Sequence, residues 1–191
     1  MDKFIALDLG NVCVSIQFEQ CMDALSACNG CKLSDIQDLY LKHEVGIIDT
    51  KAFLDLLTNL TGLKRDRVIE LFCSIIDEEI PGISDIMNEL IDKGYQIALL
   101  SDTSQLHLDV SRSKLSFSNL VIGGVYSFEV GHLKPDISMY REFEKRYGKP
   151  ALYIDDKEIN CIGAEKIGWP IHCFTSAARL RAETDKLINL K

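Results

Sequence analysis

The chain has 191 residues, room for one sizeable domain or a domain with a large insertion. Apolar residues make up 47% and charged residues 26%, the balance of a soluble globular protein, and no apolar run is long enough to span a bilayer. With 21 basic and 29 acidic side chains the net charge is −8, which argues against nucleic acid or an anionic membrane as the main partner and requires a local cation wherever an anion binds.

Residues 3–9 read as a first strand, with apolar residues 4–7 and Asp8 at its end. Gly10, just beyond, lets backbone approach a ligand closely. An ionised carboxylate is costly to bury without compensation, for example by a metal ion. On this stretch alone Asp8 reads equally well as a turn-capping residue. From about 15 to 80 the apolar residues follow helical spacing. Phe18, Met22 and Leu25 fit one helix, and Ile36, Leu39 and Tyr40 a second. Phe53, Leu56, Leu57 and Leu60 fit a third, opened by Asp49 or Thr50, and Val68, Leu71, Phe72 and Ile75 a fourth. The expectation is a compact all-helical insertion without strands, closed by Pro81-Gly82.

The period then changes. Residues 83–93 read as a helix stopped by Gly94, 95–100 as a strand, 104–114 as a helix and 120–126 as a strand. Residues 136–147 read as an amphipathic helix, 151–154 as a buried strand, 159–167 as a helix, 170–174 as a strand and 177–190 as a closing helix. This alternation predicts an α/β fold with a Rossmann-like parallel sheet covered by helices on both faces. Active sites in such sheets lie at the carboxyl ends of the strands.

The seven cysteines, an odd number in mostly apolar surroundings, read as reduced cytosolic thiols. Cys28-Asn29-Gly30-Cys31 reads as a helix ending, since no second pair or spaced histidines accompany it. The N-terminus lacks the length and flanks of a signal peptide, so a cytoplasmic location is expected.

The strand ends carry the chemistry. The first ends in Asp8, the strand at 97–100 in Ser101-Asp102-Thr103, and the strand at 152–154 in Asp155-Asp156, while Lys134-Pro135 precedes the helix at 136. Carboxylates gathered at one sheet edge repel each other without a cation. Magnesium suits them, because it takes oxygen ligands and keeps water and phosphate oxygens in its shell. Asp155 or Asp156 also suits the N-cap of the next helix, and Lys134 alone would read as a surface lysine.

The order of these motifs resembles the haloacid dehalogenase-like (HAD) hydrolase superfamily over the whole chain. Residues 4–12 are similar to its first motif and Leu99-Leu100-Ser101-Asp102-Thr103 to its second. Lys134-Pro135 is similar to the third, and Tyr153-Ile154-Asp155-Asp156 with Asn160 and Gly163-Ala164 to the fourth. The Asp8–Val12 stretch, Tyr126–Gly131 and Glu44-Val45-Gly46 resemble a subgroup of sugar-phosphate phosphatases near the phosphatase domain of epoxide hydrolases. The resemblance implies a core of residues 1–13 and 82–191 and a four-helix cap of residues 14–81, with hinges near 13–16 and 80–83. It implies that Asp8 attacks phosphorus to form an aspartyl-phosphate, and that Asp8, the Gly10 carbonyl and Asp156 hold magnesium, with Asp155 assisting directly or through water. Lys134 then offsets negative charge, Ser101 and the amides after Asp8 donate to phosphoryl oxygens, and Asn160 supports the metal site. Asn11, Ser101, Asp102 and Lys134 form the implied substrate-binding set. The implied substrate is a small phosphorylated metabolite, a sugar phosphate being one candidate, and the chain is expected as a monomer or homodimer.

Three positions depart from the pattern. Gly10 stands where most phosphatases of the superfamily carry an acid-base aspartate, a function worth about 100- to 10,000-fold. His107 and His43 are candidate substitutes, though each also reads as structural. Asp102 replaces the usual Asn and must point away from phosphate or pair with Lys134, and Val45 replaces an Arg common in the subgroup. A dehalogenase would also lack an aspartate at Gly10 but would not need Asp155-Asp156. A phosphonate hydrolase would need a cap lysine such as Lys42 or Lys51. A protein of the same fold that binds phosphorylated ligands or partners with little catalysis is the further alternative.

Overall fold

The computed structural model describes residues 3–28 and 30–189. Asn29 of the expected helix ending, and Leu190 at the end of the closing helix, lie outside the described residues. β1 (Lys3–Leu7) leads to β2 (Val14–Ile16) and then to four helices, α1 (Phe18–Ser26), α2 (Leu33–Glu44), α3 (Thr50–Thr61) and α4 (Arg65–Cys73). After β3 (Ile76–Glu79) come α5 (Ile83–Asp92), β4 (Tyr95–Ser101), α6 (Gln105–Lys114), β5 (Val121–Tyr126) and a short α7 (Ser127–Val130). α8 (Ile137–Tyr147), β6 (Leu152–Asp155), α9 (Glu158–Glu165), β7 (Ile171–Cys173) and α10 (Ala177–Asn189) complete the described chain.

The main sheet has five strands in the order β5-β4-β1-β6-β7, and every pairing is parallel. The order reverses at β1, the switch point where an open parallel sheet forms its crevice. Alternation along the strands feeds two separate cores. Ile5, Leu7, Ile97, Leu99, Leu152 and Ile154 pack on one face with Ile86 and Leu90 of α5 and Leu180 of α10. Ala6, Ala98, Leu100, Val125 and Tyr153 pack on the other face with Met139, Tyr140 and Phe143 of α8. The Rossmann-like α/β sheet expected from the sequence is therefore present.

The four helices stand where the apolar spacing predicts. Asp49 caps α3 by accepting the Ala52 N–H at 2.7 Å. Leu25, Ile36, Phe53, Leu57, Val68 and Phe72 form the buried seam between them. The expectation of an insertion without strands is corrected. β2 and β3 pair antiparallel through Val14–Glu79 and Ile16–Ile76, and the Ile80 N–H donates to the Cys13 carbonyl at 2.8 Å. The connection near 13–16, expected as a hinge loop, thus runs beside residues 76–80, just ahead of the second expected hinge at 80–83, as a hydrogen-bonded ribbon in which each strand satisfies backbone groups of the other. No helix of the described residues is long and apolar enough to cross a membrane.

Candidate active site

β1 ends one residue before Asp8, so the central strand delivers this carboxylate to the switch point. Asp8 Oδ1 accepts the Leu9 N–H at 2.8 Å and lies 2.9 Å from Lys134 Nζ. The same ammonium reaches Asp155 Oδ2 at 2.7 Å and the Leu100 carbonyl at 3.0 Å, so its three N–H groups have three acceptors. Lys134 and Asp155 are buried; burial opposes the charge on Lys134, but Asp8, Asp155 and Asp102 outweigh it and hold the ammonium protonated. Burial pushes Asp8 upward, with Lys134 opposing. For Asp155 the burial is overcome by Lys134, Tyr153 and the Lys157 N–H, which hold the carboxyl below its ordinary range.

Asp155 is occupied by protein donors. Its oxygens accept from Lys134 Nζ, the Tyr153 hydroxyl, the Lys157 N–H at 2.8 Å and Asn160 Nδ2 at 3.0 Å. Asn160, expected near the metal, is thereby placed on Asp155. The Asp156 carboxylate is less committed, receiving only Asn11 Nδ2 at 3.3 Å among the described residues. Asn11 takes a left-handed backbone (φ 53°), which asparagine tolerates, and its side-chain oxygen accepts the Ile16 N–H at 3.3 Å. It braces the loop to Asp156 and also lines the cavity in front of Asp8. Oxygens of Asp8, Asp155 and Asp156 lie within 4.8 Å of one another, a hard-oxygen set that fits magnesium.

Ser101 ends β4 and Asp102 follows it. Among the described residues Ser101 Oγ has only a 3.5 Å contact with the Asp102 carbonyl. Asp102 Oδ1 accepts the Lys134 main-chain N–H at 2.9 Å, so it pairs with the backbone of Lys134. Asp8, Asn11, Ser101, Asp102, Lys134 and Asp156 line one cavity of about 480 Å³ together with Gly10, Ile16, Phe18, Tyr40, Glu44 and Lys157, whereas Asp155 and Asn160 are not in its lining.

Gly10 stands against β2. A Cβ at this position would lie 3.1 Å from Ile16 Cγ1, so Ile16 would have to give slightly for a side chain to stand there. His107 lines the cavity, but its Nε2 lies 3.0 Å from the Phe72 carbonyl and its ring stacks on Phe72. His43 stacks on Phe53, with Nε2 3.1 Å from Thr50 Oγ1, and is absent from the cavity lining. Burial lowers both imidazoles to about 4. Lys42 pairs with Asp38 on the surface, and Lys42, Lys51 and Val45 are not among the cavity residues. Cys28 and Cys31 donate to main-chain carbonyls of Ala24 and Cys28, and all seven cysteines are free.

Sequence reasoning gave no role to Glu44 or Tyr40. Glu44 ends α2 with Oε1 accepting the Tyr40 hydroxyl at 2.6 Å. The signal was their separation of four residues on one helix, which puts the pair on one face.

No family model matches the chain. It is similar to the structure of a predicted HAD-like family hydrolase from Porphyromonas gingivalis, with 22% identity, 98% of each chain covered and a TM-score of 0.81. It is also similar to a HAD family enzyme from Bacteroides thetaiotaomicron in complex with magnesium and inorganic phosphate, with 20% identity over 92% of this chain and 96% of that one and a TM-score of 0.77. Similarity to the L-2-haloacid dehalogenase from Xanthobacter autotrophicus with covalently bound chloropropionic acid is lower, with 14% identity over 90% of this chain and 76% of that one and a TM-score of 0.60. The chain has the fold of HAD family enzymes, in agreement with the resemblance read from its motifs.

Proposed function

We propose that this protein is a magnesium-dependent phosphatase that hydrolyses a small phosphorylated metabolite, with a sugar phosphate among the candidates, through an aspartyl-phosphate on Asp8. The observation that carries this reading is the placement of Asp8 beyond the end of β1, 2.9 Å from Lys134 Nζ, within 4.8 Å of oxygens of Asp155 and Asp156, and in the lining of the cavity. A cavity of about 480 Å³ suits a small molecule. Residues 14–81 serve in this reading as the cap that excludes water, over a core of 1–13 and 82–191. Seven free thiols fit a cytoplasmic location.

Asp8, the Gly10 carbonyl and Asp156 would hold magnesium, which supplies neutralisation of phosphoryl charge when bound. Asp8 Oδ1 is held by Lys134 and Leu9, which leaves Oδ2 to attack phosphorus. Ser101 Oγ, nearly free of internal partners, donates to a phosphoryl oxygen. Lys134 offsets the charge of nucleophile and phosphate, and Asp155 holds Lys134 in place. Asn160 and Tyr153 in turn orient Asp155, while Asn11 steadies Asp156.

Phosphate release from a panel of phosphorylated metabolites tests the proposal. Release should require magnesium, stop with EDTA and be abolished by Asp8→Asn; full turnover by Asp8→Asn would overturn the mechanism. A second reading, a phospho-ligand or partner-binding protein with little catalysis, is favoured by Gly10 and Asp102. It is separated by burst kinetics with a good leaving group, since a binder shows neither burst nor turnover. Halide release without metal would instead mark a dehalogenase.

A further inference from the structure

The glycine at position 10 leaves no acid two residues after Asp8 to manage the proton of the departing oxygen. We infer that Glu44 is the general acid and base of this site, supplied by the four-helix block instead of the loop after β1, an inference that rests on the phosphatase reading. Glu44 lines the same cavity as Asp8 and Ser101, and it does so from the end of α2. Its Oε1 is fixed by the Tyr40 hydroxyl at 2.6 Å; among the described residues no donor reaches Oε2. One oxygen is therefore anchored and the other is open to a ligand.

Its main chain is also anchored to the core. Ser127 Oγ, fully buried, donates to the Glu44 carbonyl at 2.7 Å and accepts the Thr103 N–H at 2.9 Å. Thr103 follows Ser101 and Asp102, so the residue that carries the carboxyl and the loop that faces the phosphate are tied through one hydroxyl. Gly46, two residues on, lies so close to Phe128 that a Cβ there would overlap its carbonyl oxygen. These contacts make the location of Glu44 over the cavity a property of the docked block.

In-line displacement puts the leaving oxygen on the side of phosphorus opposite the nucleophile. Asp8 stands at the carboxyl end of the central strand and Glu44 at the end of α2 in the lining of the same cavity, and its assigned role puts the carboxyl on the leaving side. As Asp8 Oδ2 bonds to phosphorus, the ester P–O bond breaks and its electron pair goes to the leaving oxygen, which takes the proton from Glu44. Water then enters the vacated place and gives a proton to the Glu44 carboxylate as its oxygen bonds to phosphorus. The P–O bond to Asp8 breaks, its pair returns to the Asp8 carboxylate, and Glu44 is again protonated.

The groups that face Glu44 are Tyr40 on its own helix, Asp102 after β4, Lys134 ahead of α8 and Lys157 ahead of α9. Burial is the largest influence and, with Asp102, raises the carboxyl to about 7, against the opposing pull of Tyr40, Lys157 and Lys134. Both protonation states are then populated at neutral pH, as an acid that becomes a base requires.

The test uses the full chain with magnesium and a series of aryl phosphates of graded leaving-group acidity, from phenyl to 2,4-dinitrophenyl phosphate. Glu44→Gln should lower kcat by about 100- to 10,000-fold on phenyl phosphate and far less in the dinitrophenolate burst, steepening the dependence on leaving group. The fall of wild-type rate above pH about 7 should vanish in this variant. Tyr40→Phe, which removes a hydrogen bond to the carboxylate, should move that fall to higher pH; if Glu44→Gln does not fold, this shift decides the matter. Equal loss along the whole series, a raised KM with kcat intact, or an unmoved limb in Tyr40→Phe would overturn the role of Glu44 alone. A wild-type protein that gives neither burst nor phosphate from any member would overturn the phosphatase reading as well.

Discussion

Lys134 Nζ lies 2.9 Å from Asp8 Oδ1, and it closes a buried link from the end of β1 to the end of β6 because it also reaches Asp155 at 2.7 Å. A lysine so placed is a structural and an electrostatic component at once.

Removing it leaves two buried carboxylates without their cation. Breaking a buried ion pair from one side costs about 3 to 5 kcal/mol. Lys134→Met is expected to lower the unfolding free energy by that order in urea titrations without magnesium, and to abolish phosphate release.

The adjacent aspartates should separate by measurement. Asp155 is fully buried and serves protein donors, so Asp155→Asn is expected to cost about 3 kcal/mol or more of stability. Asp156 is half-buried, and Asp156→Asn is expected to leave the melting temperature nearly unchanged. It should weaken magnesium binding by at least about 10-fold in calorimetry. Equal effects of the two changes in both assays would contradict this division.

His107 should make the fold sensitive to acid. Its folded value of about 4 lies below the ordinary histidine value of 6.5, because burial disfavours the charged ring. Between those values the unfolded chain takes up a proton that the folded chain resists, so stability present above pH 6.5 is lost as pH falls toward 4. The full loss is roughly 3 kcal/mol. Urea titrations at pH 7 and pH 5 should show a smaller drop for His107→Gln than for wild type.

Gly10 offers a gain-of-function test. Gly10→Asp alone forces a Cβ to 3.1 Å from Ile16 Cγ1, and overpacking of that kind costs about 1 to 3 kcal/mol. Gly10→Asp with Ile16→Ala makes room for the carboxyl. In a Glu44→Gln background this pair is expected to restore kcat on phenyl phosphate by about 10-fold or more.

The sheet and the four helices were legible because their signals are local and repeat. Apolar residues run together in β4, as a strand buried on both faces requires, and recur at helical spacing in α3, and Asp49 marks where α3 starts. The ribbon was not legible for the opposite reason. β2 has three residues and β3 is Ile-Asp-Glu-Glu, so neither shows an apolar period, and they become strands by pairing across the whole four-helix block. The acids at the strand ends were legible by position, but their division of labour was not. Asp155 and Asp156 are adjacent in sequence, and only the packing of Lys134, Tyr153 and Asn160 shows which one is enclosed. Glu44 was seen only as part of the Glu44-Val45-Gly46 resemblance, because helical pattern assigns a lone acid to the solvent side, whereas docking onto Ser127 brings it inside.

The ribbon between Cys13 and Ile80 has a consequence for how such a chain can change. The strand entering the helical block and the strand leaving it are hydrogen-bonded neighbours, joined at 2.8 Å between the Ile80 N–H and the Cys13 carbonyl. Excising everything between them would leave two chain ends close enough for a short turn to splice. The helices can therefore be exchanged for another insertion by a single cassette replacement, while the parallel sheet and its row of acids stay in register.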